Sequence, residues 1–231
     1  MNARGPMKDS LNLAVGEGRH ASAARSEVYK ILSRVFSYPE SEEARAWLGR
    51  TASRELHAAA VSLPFSIPAA EVLGEVEGNG GADHAADLEV RYTSLFDNCE
   101  GKPALSLHEK DYSKKYAKTI WEDLIRFYEH FGLAYDLNKT GEWPDHLVIE
   151  LEFLHYLTFL ETGCSEAQLP EYVAAQSDFL ERHLAEWIPR FGEKVSGIPE
   201  SAPYGTFSRV LAEFVRADAD YNSTRKTHTP A

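Results

Sequence analysis

Cysteine is nearly absent from the 231-residue sequence, with only Cys99 and Cys164 far apart and no CxxC motif. Neither a disulfide framework nor a cysteine-based zinc site is therefore expected, and two reduced thiols are typical of a cytoplasmic protein. No apolar run approaches the roughly 20 residues that a membrane-spanning helix needs. The first 20 residues also lack the continuous apolar core of a secretory signal. We therefore predict a cytoplasmic protein without membrane insertion.

Positive charge is also scarce, because 24 lysines and arginines stand against 36 aspartates and glutamates. The formal net charge of -12 gives a surface that repels phosphate backbones. This excludes nucleic acid as a general partner. A basic ligand or peptide is more compatible with such a surface.

No stretch alternates like a β-strand, and no internal repeat or long heptad register is present. Apolar residues instead recur at helical spacing, which predicts an all-α fold, a single globular multi-helix bundle. We place the bundle at residues 22–221, between flexible tails at 1–21 and 222–231. The expected helical segments are 23–36, 41–62 (one or two helices), 69–76, 83–96, 112–131, 144–160, 166–187 and 204–221.

The most informative stretch is residues 141–160, GEWPDHLVIELEFLHYLTFL. Leu147, Leu151, Leu154 and Phe159 leave little of this helix's circumference polar, so we expect it at the centre of the bundle. Pro144 and Asp145 are typical of a first helical turn, which puts the helix start there. Any polar group on a central helix is costly unless it is paired.

Two chemical interpretations of this helix remain open from the residues alone. Glu152 and His155 match the Glu-x-x-His spacing of helical di-iron sites, with Glu150 or His146 within two turns. A di-iron site normally needs a second such pair, and the other core helices lack one. A metalloenzyme with an iron or manganese site is therefore only the alternative interpretation.

The second interpretation is an acid/base cluster of Asp145, His146 and Glu150. In it, the carboxylates would raise the pKa of His146 and let it titrate near neutrality. No GxSxG motif accompanies the cluster and neither cysteine has a histidine beside it in sequence. Hydrolytic catalysis is therefore not favoured.

The residues Trp143-Pro144-Asp145-His146-Leu147, continuing through Glu150-Leu151-Glu152-Phe153-Leu154, resemble the E-P-D-H-[IL]-x-x-E-L-x-F-[ML] signature of the TorD/DmsD/NarJ family. Weaker matches occur in the family's order at 91–96, at 130–133 and at 183–191. Trp143 stands where the family has glutamate, and Glu142 lies one place earlier. Residues 106–109 read Ser-Leu-His-Glu where many members have Tyr-Glu-Ser.

The resemblance implies an all-helical cytoplasmic chaperone, with neither catalytic activity nor a cofactor of its own. Family members hold the apo catalytic subunit of a DMSO-reductase-type molybdopterin enzyme until its molybdenum cofactor is inserted. Many of them bind the subunit's N-terminal twin-arginine leader. The resemblance leaves open whether the protein is a monomer or a homodimer, and whether leader or mature subunit is bound.

The resemblance also implies a client-peptide site, with no metal. On this hypothesis, Asp145 and Glu150 attract the arginines of the leader, His146 orients these carboxylates or supplies a pH-sensitive contact, and the aromatic side chains accept the apolar part. The expected site residues are Tyr92, Leu95, Phe96, His108, Tyr112, Trp143, Pro144, Asp145, His146 and Glu150.

Overall fold

Helices account for all the regular structure in a computed structural model that describes residues 6–78, 87–97, 105–199 and 201–228. The all-α prediction is confirmed, since no β-strand occurs within these ranges. None of the helices there is both long enough and apolar enough to span a membrane. The eleven α-helices of the described residues are α1 (Pro6–Val35), α2 (Glu42–Arg50), α3 (Ala52–Ala60), α4 (Ala69–Gly78), α5 (Leu88–Phe96), α6 (Ala117–His130), α7 (Leu137–Thr140), α8 (Leu147–Gly163), α9 (Leu169–Arg182), α10 (Leu184–Ser196) and α11 (Tyr204–His228).

Several helix bounds differ from the sequence-based expectation. Helix α1 already begins at Pro6, so residue 21 is not a boundary of secondary structure; the flexibility of the two tails stays a prediction. The helix expected from residue 112 begins only at Ala117, and the one expected at 166–187 is two helices that break at His183. Residues 83–86, the expected start of α5, lie outside the described ranges.

The central position predicted for the 141–160 stretch is confirmed. Helix α8 packs along α1 over much of its length, and Leu147, Leu151 and Leu154 are fully buried. Its start differs from the prediction, because His146 is the N-cap and the helix begins at Leu147 instead of Pro144. Phe159, expected on an apolar face, is 59% exposed.

A buried ionic network joins the far end of α8 to its neighbours. The fully buried Arg25 of α1 forms ion pairs with Asp218 of α11 and with Glu161 of α8, the latter at 3.4 Å. Tyr29 donates to Asp218 at 2.6 Å, and Gln176 of α9 donates to Glu161 at 2.8 Å. Burial alone would raise the pKa of Glu161, but the charges of Arg25 and Arg225 outweigh it and hold that pKa below its usual value. The Arg25 guanidinium also donates to the Gln176 side-chain carbonyl at 2.5 Å, so it links α1 to α8, α9 and α11.

We expect Arg25→Met to destabilise the protein by about 3–5 kcal/mol, because it leaves the buried carboxylate of Asp218 without its cation and Glu161 with Arg225 alone. The measurement is urea unfolding at neutral pH. Lys30→Met on the same helix is the matched control, since Lys30 pairs with Glu27 in solvent and its loss should cost less than about 1 kcal/mol. Equal effects of the two substitutions would contradict the structural role of Arg25.

Candidate functional site

A short antiparallel pairing places the start of α8 against residues 105–112. The Leu147 N–H donates to the Leu107 carbonyl at 2.8 Å, and the Glu109 N–H donates to the Asp145 carbonyl at 3.0 Å. An isolated β-bridge between His108 and His146 lies between these two bonds. The pairing brings together two parts of the chain that lie almost 40 residues apart, and it includes most of the polar residues predicted for the site.

The side chain of Asp145 holds the two paired segments together through hydrogen bonds. It is fully buried, and its carboxylate accepts the Lys110 N–H at 3.1 Å and the Trp121 indole N–H at 2.8 Å. The Nδ1 atom of His108 lies 3.4 Å away, which allows attraction but exceeds normal hydrogen-bond length. Burial alone would raise the pKa of Asp145, but these partners outweigh it and lower the pKa, so the side chain is ionised near neutral pH.

Two tryptophans form a platform beside this carboxylate. Trp143 stacks on Trp121 with ring centroids 4.1 Å apart and planes inclined by 18°. The Lys110 ammonium lies 5.5 Å from the Trp121 ring and 5.8 Å from the Trp143 ring. Trp143 remains 40% exposed, so it offers an apolar face whose orientation is already fixed.

His146 does not behave as the sequence suggested. Burial, followed by the charge of His108, lowers the pKa of His146 to about 4, and Asp145 only partly offsets this. The prediction that His146 titrates near neutrality is therefore wrong, because desolvation outweighs the attraction to Asp145. The Nδ1 atom accepts the Val148 N–H at 3.3 Å, so the neutral ring carries its proton on Nε2.

A second buried carboxyl group lies deeper in the core. Glu150 is fully buried and accepts the Trp187 indole N–H at 3.2 Å. Burial and the charge of Glu109 raise the pKa of Glu150 well above its usual value. Glu109 is itself buried and bonds to His183 at 2.8 Å. We name Asp145, Glu109, Glu150 and His183 the buried polar layer; its carboxylates do not face solvent.

The apolar half of the predicted site is core. Leu95 and Phe96 are each at most 7% exposed, and Phe96 packs on Phe191. The buried Tyr92 donates its hydroxyl to the Phe36 carbonyl at 3.0 Å.

Tyr112 and Pro144 complete the buried members of the predicted set. Tyr112 stacks on Trp187 and donates to the Ser106 carbonyl at 2.8 Å. Pro144 presents its carbonyl to the Tyr128 hydroxyl at 2.8 Å. Of the ten predicted residues, only His108, Trp143 and His146 reach the surface. Whether any of the ten contacts a client stays a prediction.

The metal site proposed from the Glu-x-x-His spacing is not assembled. The Nδ1 atom of His155 lies 2.9 Å from the Ser26 hydroxyl and 3.0 Å from the Ser26 carbonyl, so this nitrogen already has partners. Glu152, one helical turn before His155, is exposed. Among the described residues, no further carboxylate or histidine joins these two to complete a ligand set.

Sequence reasoning missed several residues that build the site. Trp121 and Glu109 contact the predicted residue Asp145 directly, and His183 contacts Glu109, although each lies far from the signature. The available signal was the cost of burying Asp145 and Glu150, which requires donors nearby. The identity of those donors depends on tertiary packing, which one sequence does not specify.

Comparison with known proteins shows which proteins this sequence resembles. The family model described as nitrate reductase delta subunit matches residues 51–193. The chlorate reductase assembly chaperone protein of Ideonella dechloratans is 33% identical over 162 residues, which cover 68% of this chain and 82% of the relative. The selenate reductase assembly chaperone protein of Thauera selenatis is 32% identical over 164 residues, covering 68% and 83%. The perchlorate reductase assembly chaperone protein of Dechloromonas aromatica is 30% identical over 185 residues, covering 76% and 80%.

Glu150→Gln tests the buried polar layer through the pH dependence of stability. Above the unfolded pKa of about 4.3, the unfolded chain ionises this group while the native state keeps it protonated, so wild-type stability falls as the pH rises towards the raised native pKa. The variant lacks this loss. We expect the difference in free energy of unfolding, variant minus wild type, to increase by up to about 1.4 kcal/mol per pH unit between pH 5 and pH 7.

The measurement is urea unfolding of both proteins across that range. Glu122→Gln, in an exposed pair with Lys118, is the matched control and should follow the wild-type curve. Parallel curves for Glu150→Gln and wild type would show that Glu150 is ionised in the native state.

Proposed function

Because the chain belongs to the nitrate reductase delta subunit family, that of the TorD-type redox-enzyme maturation chaperones, we propose that it assembles the catalytic subunit of one molybdenum-containing reductase. It acts as an assembly chaperone and not as an enzyme, in keeping with the names of its relatives. The metalloenzyme alternative is therefore rejected. The observation that carries the proposal is the family match, which covers both segments of the candidate site.

We further propose that the client is a reductase of oxyanions. Three relatives are named for chlorate, selenate and perchlorate reductases. All three substrates are oxyanions, so we expect the client to be the catalytic subunit of a reductase that acts on an oxyanion. The cytoplasm, where a molybdenum cofactor is inserted before export, is the compartment that this role requires.

We propose a contact surface that differs from the one that the sequence suggested. Asp145 and Glu150 are fully buried and already hold internal partners, so neither carboxylate can meet an arginine of a client without breaking the core. They position the surface and do not form it. The groups left for a client are Trp143, His108 and His146, together with the exposed carboxylate of Glu142.

These surface groups suit a segment that is both cationic and apolar. Trp143 offers a large rigid face whose ordering costs little entropy, because the stack on Trp121 already holds it. Glu142 supplies negative charge beside it. The neutral His146 ring offers its Nε2 proton to a backbone carbonyl. A leader with arginines followed by apolar residues has this chemistry, and we propose the leader as the bound segment.

The test is the affinity of the purified protein for the apo catalytic subunit of its reductase, with and without the subunit's N-terminal segment. We expect Trp143→Ala to weaken binding at least tenfold, since a packed aromatic anchor contributes about 2 kcal/mol or more to the free energy of binding. Binding should also weaken when the N-terminal segment is removed and when salt is raised, because salt screens the contact of Glu142.

Phe159→Ala is the matched control, because Phe159 is an exposed aromatic residue near the end of α8, far along that helix from the turn that holds Trp143. It should leave the affinity within about twofold of wild type, since an exposed side chain outside the contact contributes little. Equal losses for Phe159→Ala and Trp143→Ala would contradict the proposed surface. A client bound equally well without its N-terminal segment would contradict the leader but leave the chaperone role in place.

A further inference from the structure

Three side chains of types that bind metals converge at the edge of the candidate site. Ligand atoms of His108, Glu142 and His146 all lie within 4.8 Å of one another. No other group of three histidines, cysteines or carboxylates is as close in the described part of the chain. The three come from different local elements: residues 105–112, the turn before α8 and the N-cap of α8.

The two imidazole rings already have the spacing that a shared ion requires. Their centroids are 5.1 Å apart and their planes are inclined by 74°. Two imidazoles on one tetrahedral ion, at metal–nitrogen distances of about 2.0–2.1 Å, have centroids about 5 Å apart. The rings therefore need little movement, and the flexible Glu142 side chain can supply the rest.

The ligand groups have coordination capacity to spare. The carboxylate of Glu142 is exposed and makes no hydrogen bond or ion pair with the residues that the structure describes. The Nδ1 atom of His108 is buried without a hydrogen-bond partner there and lies 3.4 Å from Asp145. A proton on Nδ1 facing this carboxylate leaves the Nε2 lone pair free, which is the carboxylate–histidine–metal arrangement of many zinc sites.

Three features oppose an ion. The Lys110 ammonium and the positive end of α8 are close by, and the ring of His146 must give up its hydrogen bond from Val148 to coordinate through Nε2. That bond is long at 3.3 Å, so its loss costs little. The ring must also move its proton from Nε2 to Nδ1, which the loss of the Val148 bond allows.

We propose that His108, Glu142 and His146 form a binding site for a divalent ion of the zinc class. Two nitrogen ligands and one oxygen ligand suit Zn²⁺, Co²⁺ or Fe²⁺, and three protein ligands leave a fourth position open to an outside group. The ion ties residues 105–112 to the turn before α8 next to Trp143. The site needs no client to form, although its three residues also belong to the proposed contact surface.

The test is a titration of the full chain, without a histidine tag and stripped by a chelator, with Co²⁺ and then with competing Zn²⁺. We expect one equivalent of Co²⁺ with the visible absorption of a four-coordinate ion, and displacement of that ion by Zn²⁺. His108→Ala and Glu142→Gln should each weaken Co²⁺ binding at least tenfold. His130→Ala is the matched control, since His130 faces Glu171 on the surface at 3.2 Å, and its titration should equal that of wild type.

Circular dichroism of each variant shows whether it is folded, and His146 is left unchanged because it caps α8. The proposal is overturned if the stripped protein takes up no stoichiometric Co²⁺, or if the folded His108→Ala and Glu142→Gln variants bind it as wild type does. Client affinity is measured separately and without added metal. A failure of either assay therefore does not decide the other.

Discussion

The carboxylate of Asp145 holds together the parts of the chain that form the candidate surface. Its side chain accepts hydrogen bonds from Lys110 and Trp121, and its carbonyl accepts one from Glu109. Residues 105–112, α6 and the start of α8 therefore meet at one buried negative charge. A buried charge costs several kcal/mol unless its partners are in place, so these three elements must assemble together. The orientation of Trp143 above them follows from that assembly.

The signature residues divide into a buried layer and a surface layer with different tasks. Asp145 and Glu150 sit in the core, whereas Trp143 and His146 reach solvent. Five buried side-chain polar atoms in the described residues have no hydrogen-bond partner, and four of them belong to His108, Glu109, Glu150 and His183. Incomplete satisfaction of buried polar groups lowers stability and is typical of functional regions. The buried polar layer beneath the surface thus holds most of the unsatisfied buried side-chain atoms of the described residues.

The sequence predicted helix positions well where one apolar stripe faced the core, as in α3, α5 and α11. It failed at His183, where apolar residues continue through the break between α9 and α10 and hide the change of direction. For residues 143–150 it did not predict that the carboxyl groups of Asp145 and Glu150 are buried, and their contact with a client stays a prediction. Charge alone suggested that Asp145 and Glu150 face a client. Only the tertiary structure shows that their side chains accept hydrogen bonds from Trp121 and Trp187. The lowered pKa of His146 has the same origin, because desolvation is set by neighbours distant in sequence.

Site-specific photo-crosslinking tests most directly whether the client contacts the surface around Trp143. A photoreactive benzoylphenylalanine placed at position 143 or at position 159 on the outside of α8 would be irradiated in the presence of the apo catalytic subunit. Our account predicts a covalent product with the subunit from position 143 and none from position 159. A product from position 159 alone would show that the client binds another face and that the surface around Trp143 is not the contact.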